Sequence, residues 1–490
     1  MEAQVAHHLE TGCSLLIAGK WTQGSAAPFK VLNKFDQEVL AEIATPTATE
    51  IHTAVQAAVQ AFHDNRTLSP RDRGQFLDDA ASVLEARTER LQHIICAETG
   101  FTLSDAAGEI RRTVQTMRLS AEEARRFVGT LIPVEGTAGQ AGRMCWTQRV
   151  PLGVVAAITP FNAPLNTVVH KVAPALAAGN AIILKPSPHT PLIACELADA
   201  LIEAGTPPGL ITVLNGGTDV VNALLDEQDI RFYAFTGSTE AGRAIQQRAG
   251  LRRTQMELGS IAFAVLCDDA NLDFALPKII NAAYRKAGQV CTSIQMLLVH
   301  EKILPTVERK LTQLVKALKA GDPTDPATQV GPVISTQSAD RIADWIAQAT
   351  RSGAACLAGG TRQGNVIAPT LLKNLAPDTP LGCQEVFGPV MSLMPFSSVN
   401  SAIARVNDTP FGLATGIFTN RLDDAFRFIR ELEVGGVHIN ETPSSRVDMM
   451  PYGGSKASGF GREGPYYAMR EMSEERVATF IPNTSPGKRP

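Results

Sequence analysis

A lone cysteine, Cys291, lies in Ala287-Gly288-Gln289-Val290-Cys291-Thr292-Ser293, behind Gly-Gln and ahead of two hydroxyl residues. It is a candidate nucleophile. A free thiol has a pKa of about 8.5, so only a few per cent is thiolate near pH 7. Its surroundings must therefore supply a base, a positive field, or both. The residue also fits a small core hydrophobe, since cysteine is among the most buried residue types. Three other stretches bear on the choice. Met256-Glu257-Leu258-Gly259 ends an apolar run on a carboxylate, Pro160-Phe161-Asn162-Ala163-Pro164 sets an amide between two prolines, and Glu385-Val386-Phe387-Gly388-Pro389-Val390 follows downstream.

The elements between these stretches must bring them together. From 153 to 257, candidate strands (153–158, 180–184, 210–214, 230–235, 253–257) alternate with helical stretches near 163–178, 190–204, 217–226 and 239–249. The strands are continuous apolar runs, as a parallel sheet covered on both faces requires. This predicts an α/β protein with a doubly wound, Rossmann-like parallel sheet. The dinucleotide fingerprint GxGxxG is absent. In its place stands Phe235-Thr236-Gly237-Ser238-Thr239-Glu240-Ala241-Gly242. There Gly237 can take φ > 0, Ser238 can donate to a phosphate, and a helix N-terminus attracts negative charge. The same pattern also suits a plain tight turn.

Ahead of this region, helices are expected at 48–63, 70–98 and 103–127, after a strand and turn at 15–21. In the third helix Ile110, Val114, Met117 and Ala121 share one face. Residues 128–150 are Gly-punctuated and β-prone, and read as an arm. A second α/β region from 258 to about 440 has helices near 273–288, 302–319, 337–353, 399–406 and 422–432, with strands around 295–300, 390–396 and 413–418. A turn-rich, glycine-rich stretch and a last strand at 476–480 follow. Residues 1–14 and the Pro/Ser/Lys tail are expected to be frayed.

At 490 residues the chain is long enough for about three domain-sized units. A net charge of −4 gives no electrostatic case for nucleic acid or an anionic membrane. No apolar run reaches the roughly 18 residues of a membrane span, and the start lacks the basic-then-apolar pattern of a signal peptide. Eight cysteines stand singly, so neither a metal site nor a disulfide framework is indicated, and a reducing cytoplasm is expected.

In their order and separations the quoted stretches resemble the aldehyde dehydrogenase superfamily, from about residue 15 to about residue 480. The resemblance implies an NAD(P)-binding domain (1–127 and 150–258), a catalytic domain (259–462), and an oligomerisation arm with the C-terminal strand (128–149 and 463–490). It implies a homodimer or homotetramer. It implies oxidation of an aldehyde to its acid, with NAD as cofactor and NADP tolerated. Cys291 would attack the carbonyl. The Asn162 amide, with the Cys291 backbone N–H, would stabilise the oxyanion. Glu257 would activate the water that cleaves the thioester, and Lys171 would relay protons from it. At the cofactor the resemblance puts Thr159, Pro160, Lys185, Ser187, Gly237, Ser238, Leu258, Glu385 and Phe387: Lys185 at the adenosine ribose, Gly237 and Ser238 at the pyrophosphate, Glu385 at the nicotinamide ribose.

The chain departs from the family pattern at Phe161, where tryptophan is common, at Ser260, where a second glycine is usual, and at Pro188, where many NAD enzymes carry glutamate. Gly288–Gln295, Arg446–Gly454 and Gly461-Arg462-Glu463-Gly464 look most like the lactaldehyde, phosphonoacetaldehyde and semialdehyde branch. That points to a small polar or anionic aldehyde, with Arg112 or Arg446 as the residue meeting its charge. By periodicity Arg112 is about 200° from Ile110 on its helix, and so solvent-facing. The alternatives are a CoA-acylating enzyme, which would generally lack Glu257, and a catalytically idle relative, which would lack part of the Cys291, Asn162 and Glu257 set.

Overall fold

The computed structural model describes residue 12 and residues 14–481. Most of the frayed start and the tail beyond Ile481 expected above lie outside the described residues.

The five expected strands form the parallel centre of one sheet, although the last, Arg253–Glu257, is mostly polar in sequence. Val154–Ile158 and Ala181–Lys185 are buried along their whole length, with a helix layer on each face. The spatial order is Ile211–Val213, Ala181–Lys185, Val154–Ile158, Ile230–Thr236, Arg253–Glu257. The chain steps outward from Val154–Ile158 in one direction, then restarts on its other side with Ile230–Thr236. That reversal opens a crevice at the C-terminal ends of these two strands, where doubly wound sheets bind ligands.

Antiparallel strands complete both edges. Leu15–Ile17 and Lys20–Thr22 form one, turning through Ala18 and Gly19 at positive φ. Gly459–Phe460 forms the other by pairing with Met256 and Glu257. This strand comes from the late glycine-rich stretch, which the sequence reads only as turns. Gly459 has φ +104°, and a Cβ there would lie 1.9 Å from the Met256 carbonyl oxygen, so only glycine permits the approach.

A second sheet has the order Ala355–Ala358, Thr370–Lys373, Val390–Phe396, Ile294–His300, Ala262–Leu266, Ala414–Phe418, Gly436–Ile439. All neighbours are parallel except the first pair. Its core, around Ile279, Leu297 and Val299, is separate from the first, around Leu16, Val155 and Phe232. Met144–Pro151 leaves the body and pairs antiparallel with Ser473–Phe480 as a two-stranded arm. Between arm and body, Pro465–Glu471 and Met472 send Ala468, Met469 and Met472 into the first core.

Two helices differ from the sequence reading. The expected helix at 70–98 is two, Pro70–Ala86 and Thr88–Thr99, broken at Arg87. The one expected at 273–288 stops at Tyr284, because Lys286, Ala287 and Gly288 are all left-handed. Among the described residues no helix is long and apolar enough to cross a membrane.

Candidate active site

The seat of Cys291 is a strained turn. Lys286 (φ 53°, ψ 31°) and Ala287 (φ 53°, ψ 37°) are non-glycine residues in the left-handed region, each costing about 1 kcal/mol or more. Gly288 continues the run at φ +68°, and a Cβ there would lie 2.1 Å from the Gly388 carbonyl oxygen. Such strain persists only where the surroundings over-determine it. Here the determinant is Lys286. Its buried ammonium contacts Glu109 at 2.5 Å, donates to the Asn162 carbonyl at 3.0 Å, and lies 4.7 Å above the Phe101 ring. The other Glu109 oxygen accepts from the Leu165 and Asn166 N–H groups, opening helix Asn166–Ala177. One ion pair thus ties helix Leu103–Arg126, the Pro160–Pro164 loop and the Cys291 turn together.

Cys291 is part-buried and borders a cavity of about 570 Å³ with Asn162, Glu257, Tyr452 and Glu463. Its Sγ is 3.0 Å from the Tyr452 hydroxyl. Burial pushes the thiol up to about 11, against the pull of that hydrogen bond. At rest it is a thiol. The Asn162 side-chain amide and the Cys291 backbone N–H donate to no described residue. They remain available to a ligand oxygen.

Glu257 is buried with both carboxylate oxygens unpartnered. Burial raises its pKa well above the ordinary value, and the neighbouring Glu463 adds to the rise. Glu463 is the charged member. Lys171 donates to one of its oxygens at 2.9 Å and Arg446 to the other at 3.0 Å. These two cations outweigh burial and hold Glu463 below the usual carboxylate range. Lys171, fully buried, acts on Glu257 through space and does not border the cavity.

The same cavity continues into the sheet crevice, past Thr159, Pro160, Lys185, Ser187, Gly237, Ser238 and Leu258. Gly237 is not at positive φ, a correction to the sequence reading. What its missing Cβ leaves room for is the Phe235 ring, 2.5 Å from where that atom would stand. Ser238 caps helix Thr239–Ala249, accepting from the Ala241 N–H and keeping its own proton to give. Lys185 is nearly buried with no ion pair among the described residues, and burial lowers it to about 8. The Thr159 and Thr236 hydroxyls are buried and unpartnered. Unpartnered donors at a topological switch point fit a dinucleotide, with Lys185, Gly237 and Ser238 to hold it. Towards Cys291, Glu385 accepts from the Ser260 backbone N–H at 2.9 Å, and burial raises it to about 7. The departure at Ser260 leaves this contact intact, because the donor is backbone. Phe387, at φ +47°, stands edge-on to Phe161. Pro188 is exposed at the cavity margin.

The aldehyde dehydrogenase family matches residues 21–478. A 3-sulfolactaldehyde dehydrogenase of Priestia aryabhattai is 42% identical over 464 residues, 94% of this chain and 97% of that one. The chain belongs to the aldehyde dehydrogenase family. Aldehyde dehydrogenase 21 of Physcomitrella patens, solved with its reaction product succinate, superposes with TM-score 0.93 at 35% identity, covering 96% of this chain and 98% of that one. A glyceraldehyde-3-phosphate dehydrogenase of Methanocaldococcus jannaschii complexed with NADP gives TM-score 0.90 at 33% identity, covering 94% and 100%. As a member of the family, the enzyme is an NAD(P)-dependent aldehyde dehydrogenase.

Within this dehydrogenase the two expected substrate arginines are both engaged. Arg112 makes a two-pronged contact with Asp448, at 2.6 and 3.2 Å, and does not border the cavity. Its helix face, solvent-facing by periodicity, meets a loop from far along the chain. Asp448 also meets the buried His170 at 2.9 Å. Arg446 does border the cavity, but its charge is met by Glu463, and it lies 4.1 Å above the Tyr452 ring. The sequence reading missed Arg285. Its guanidinium is mostly buried and makes no hydrogen bond or ion pair to a described residue; it feels the charge of Asp105 first and then that of Arg112, Cys291 and Tyr452, and it stands behind the cavity wall beside Cys291. It also missed the roles open to Tyr452 and Glu463, though both lie in stretches that carried the resemblance.

Proposed function

We propose that this dehydrogenase oxidises short aldehydes bearing an anionic group, with Cys291 as nucleophile and water as the final acceptor of the acyl group. Arg285 carries the reading. Asp105 acts on this guanidinium through space without a hydrogen bond, and a bound carboxylate, sulfonate or phosphonate would give it two parallel hydrogen bonds. Arg112 and Arg446 already spend hydrogen bonds on protein carboxylates, whereas Arg285, beside Cys291, spends none on a described residue. The names of the sulfolactaldehyde and glyceraldehyde-3-phosphate relatives, and the succinate in the Physcomitrella patens complex, describe molecules with such groups.

The chemistry runs through the chain's own groups. The thiol gives up its proton to solvent water in the cavity, the Cys291 sulfur bonds to the aldehyde carbon, and the carbonyl π pair moves onto oxygen. The Asn162 amide and the Cys291 N–H stabilise that alkoxide, each such donor worth about 3 kcal/mol in the transition state. Bound NAD(P) supplies the hydride acceptor that leaves a thioester on Cys291. Glu257, in its carboxylate form, takes a proton from water as the hydroxyl adds to the thioester. The carbon–sulfur bond then breaks, and thiolate and acid separate. The presence of Glu257 favours water over CoA as acceptor. For the cofactor, nothing acidic at position 188 repels a 2′-phosphate, so NADP is accepted beside NAD. The exposed Met144, Trp146, Val477 and Phe480 on the two-stranded arm suit self-association.

The test compares an anionic semialdehyde with its neutral analogue in wild type and in Arg285→Ala, Arg112→Ala and Arg446→Ala. Arg285→Ala is expected to raise KM for the anionic substrate tenfold or more, matching about 1.5–3 kcal/mol for a charged hydrogen bond, and to spare the neutral one. Equal effects on both substrates would remove Arg285 from this role. Retained turnover in Cys291→Ser would overturn the covalent mechanism itself.

A further inference from the structure

Among the described residues, the Cys291 sulfur has one hydrogen-bond partner, the hydroxyl of Tyr452. At 3.0 Å the contact is short for a sulfur acceptor. Tyr452 is held there from two sides. Its backbone pairs reciprocally with Glu463, at 3.1 and 2.7 Å, and the Arg446 guanidinium covers the ring at 4.1 Å. Arg446 is in turn fixed by Glu463. The phenol is half-buried on the cavity wall, and among the described residues the sulfur is the hydrogen-bond partner of its hydroxyl. A cation over the face of a phenol draws electron density from the ring and makes the O–H a stronger donor.

Resting on the proposed covalent role of Cys291, we propose that Tyr452 is a catalytic residue: its hydroxyl donates to the Cys291 sulfur, favours the thiolate and fixes the direction from which it attacks. Arg446 is a positioning residue that acts on the sulfur through the Tyr452 ring. With a thiol, the Tyr452 oxygen is as able to accept as to donate. With a thiolate, Tyr452 must donate, and a hydrogen bond to the charged form favours that form. The other charges around Cys291 are Glu257 and Glu385, which oppose thiolate formation, and Arg446 and Arg285, which favour it. Tyr452 alone among these contributors makes direct contact with the sulfur.

The experiment reads the sulfur itself, without aldehyde. Cys291 is alkylated with iodoacetamide across pH 6 to 11, and the rate is followed by mass spectrometry of the peptide containing Cys291, which separates it from the other cysteines. Tyr452→Phe keeps the ring and the Arg446 stack and removes only the hydroxyl. The apparent Cys291 pKa is expected to rise by about one unit, cutting the alkylation rate about tenfold wherever the thiol is mostly protonated, pH 8 included, with the gap narrowing towards pH 11. Arg446→Met is expected to move it the same way and less far. Unchanged Tm and NADPH binding in Tyr452→Phe verify that the fold is kept. A Tyr452→Phe profile superimposable on wild type would overturn the proposal, while leaving the nucleophile assignment to the Cys291→Ser test.

Discussion

The Lys286 ammonium reaches 3.0 Å to the backbone carbonyl of Asn162, so the turn that carries the proposed nucleophile and the loop that carries the proposed oxyanion donor are fastened by one group. Lys286→Met removes that fastening and strands Glu109 as a buried, uncompensated carboxylate. Loss of one partner of a buried pair costs about 3 kcal/mol or more. The variant is therefore expected to unfold at lower urea and to lose kcat by at least tenfold, with a smaller change in KM. A urea midpoint within error of wild type would sink this.

Gly288 is fixed by contact as well as by φ. A methyl group there meets the Gly388 carbonyl oxygen at 2.1 Å. Gly288→Ala must displace either the Cys291 turn or the Glu385–Pro389 segment, and is expected to abolish turnover. NADPH titration followed by fluorescence separates the two, since only displacement of Glu385 and Phe387 weakens the cofactor.

Glu257 gives a pH signature. Burial, with Glu463 beside it, holds its folded pKa above the usual 4.5. The folded protein thus keeps a proton that the unfolded chain releases first. This contribution to stability is fully present below about pH 4.5 and fades as pH rises toward the folded value. Glu257→Gln cannot ionise, so its Tm relative to wild type should climb as pH rises above 5 and level off once the folded Glu257 of wild type ionises. A difference independent of pH would show that Glu257 is charged in the fold. The same variant should give one burst of reduced cofactor and then turn over slowly. Acceleration by CoA, with an acyl-CoA product, would show that water is not the acceptor.

At the cofactor end, Pro188 shares the cavity margin with Lys185 and Ser187. Pro188→Glu would repel a 2′-phosphate. It is expected to lower kcat/KM for NADP at least tenfold while changing NAD less than threefold. In wild type, NADP more than a thousandfold poorer than NAD, about 4 kcal/mol, would mean that another residue excludes the phosphate.

What the sequence made legible was local. Val154–Ile158 or Ala181–Lys185 announces itself as a run of apolar residues, and Cys291, Glu257 and Asn162 lie in short stretches of characteristic type. The residues that tune the site are legible in no such way. Lys171 finds Glu463 at a separation of 292 residues, Cys291 finds Tyr452 at 161, and Arg112 finds Asp448 at 336. Periodicity senses neighbours a few positions away, so it sent Arg112 to solvent and passed over Arg285. It also ran the Leu272–Tyr284 helix on to 288, because Lys286 and Ala287 are ordinary helix formers whose left-handed geometry is imposed by Glu109 and Asn162.

The pairing of Met256 and Glu257 with Gly459–Phe460 orders events during synthesis. By the time Cys291 has left the ribosome, the strand bearing Glu257 is still a bare edge, and it stays so until residue 460 is made. Tyr452 and Glu463 emerge in that same late window. A prematurely terminated product would therefore carry a cysteine without its hydroxyl partner and a carboxylate without its sheet neighbour, on an open edge that invites aggregation. The last strand of this sheet to be made is thus the one that closes its edge beside Glu257.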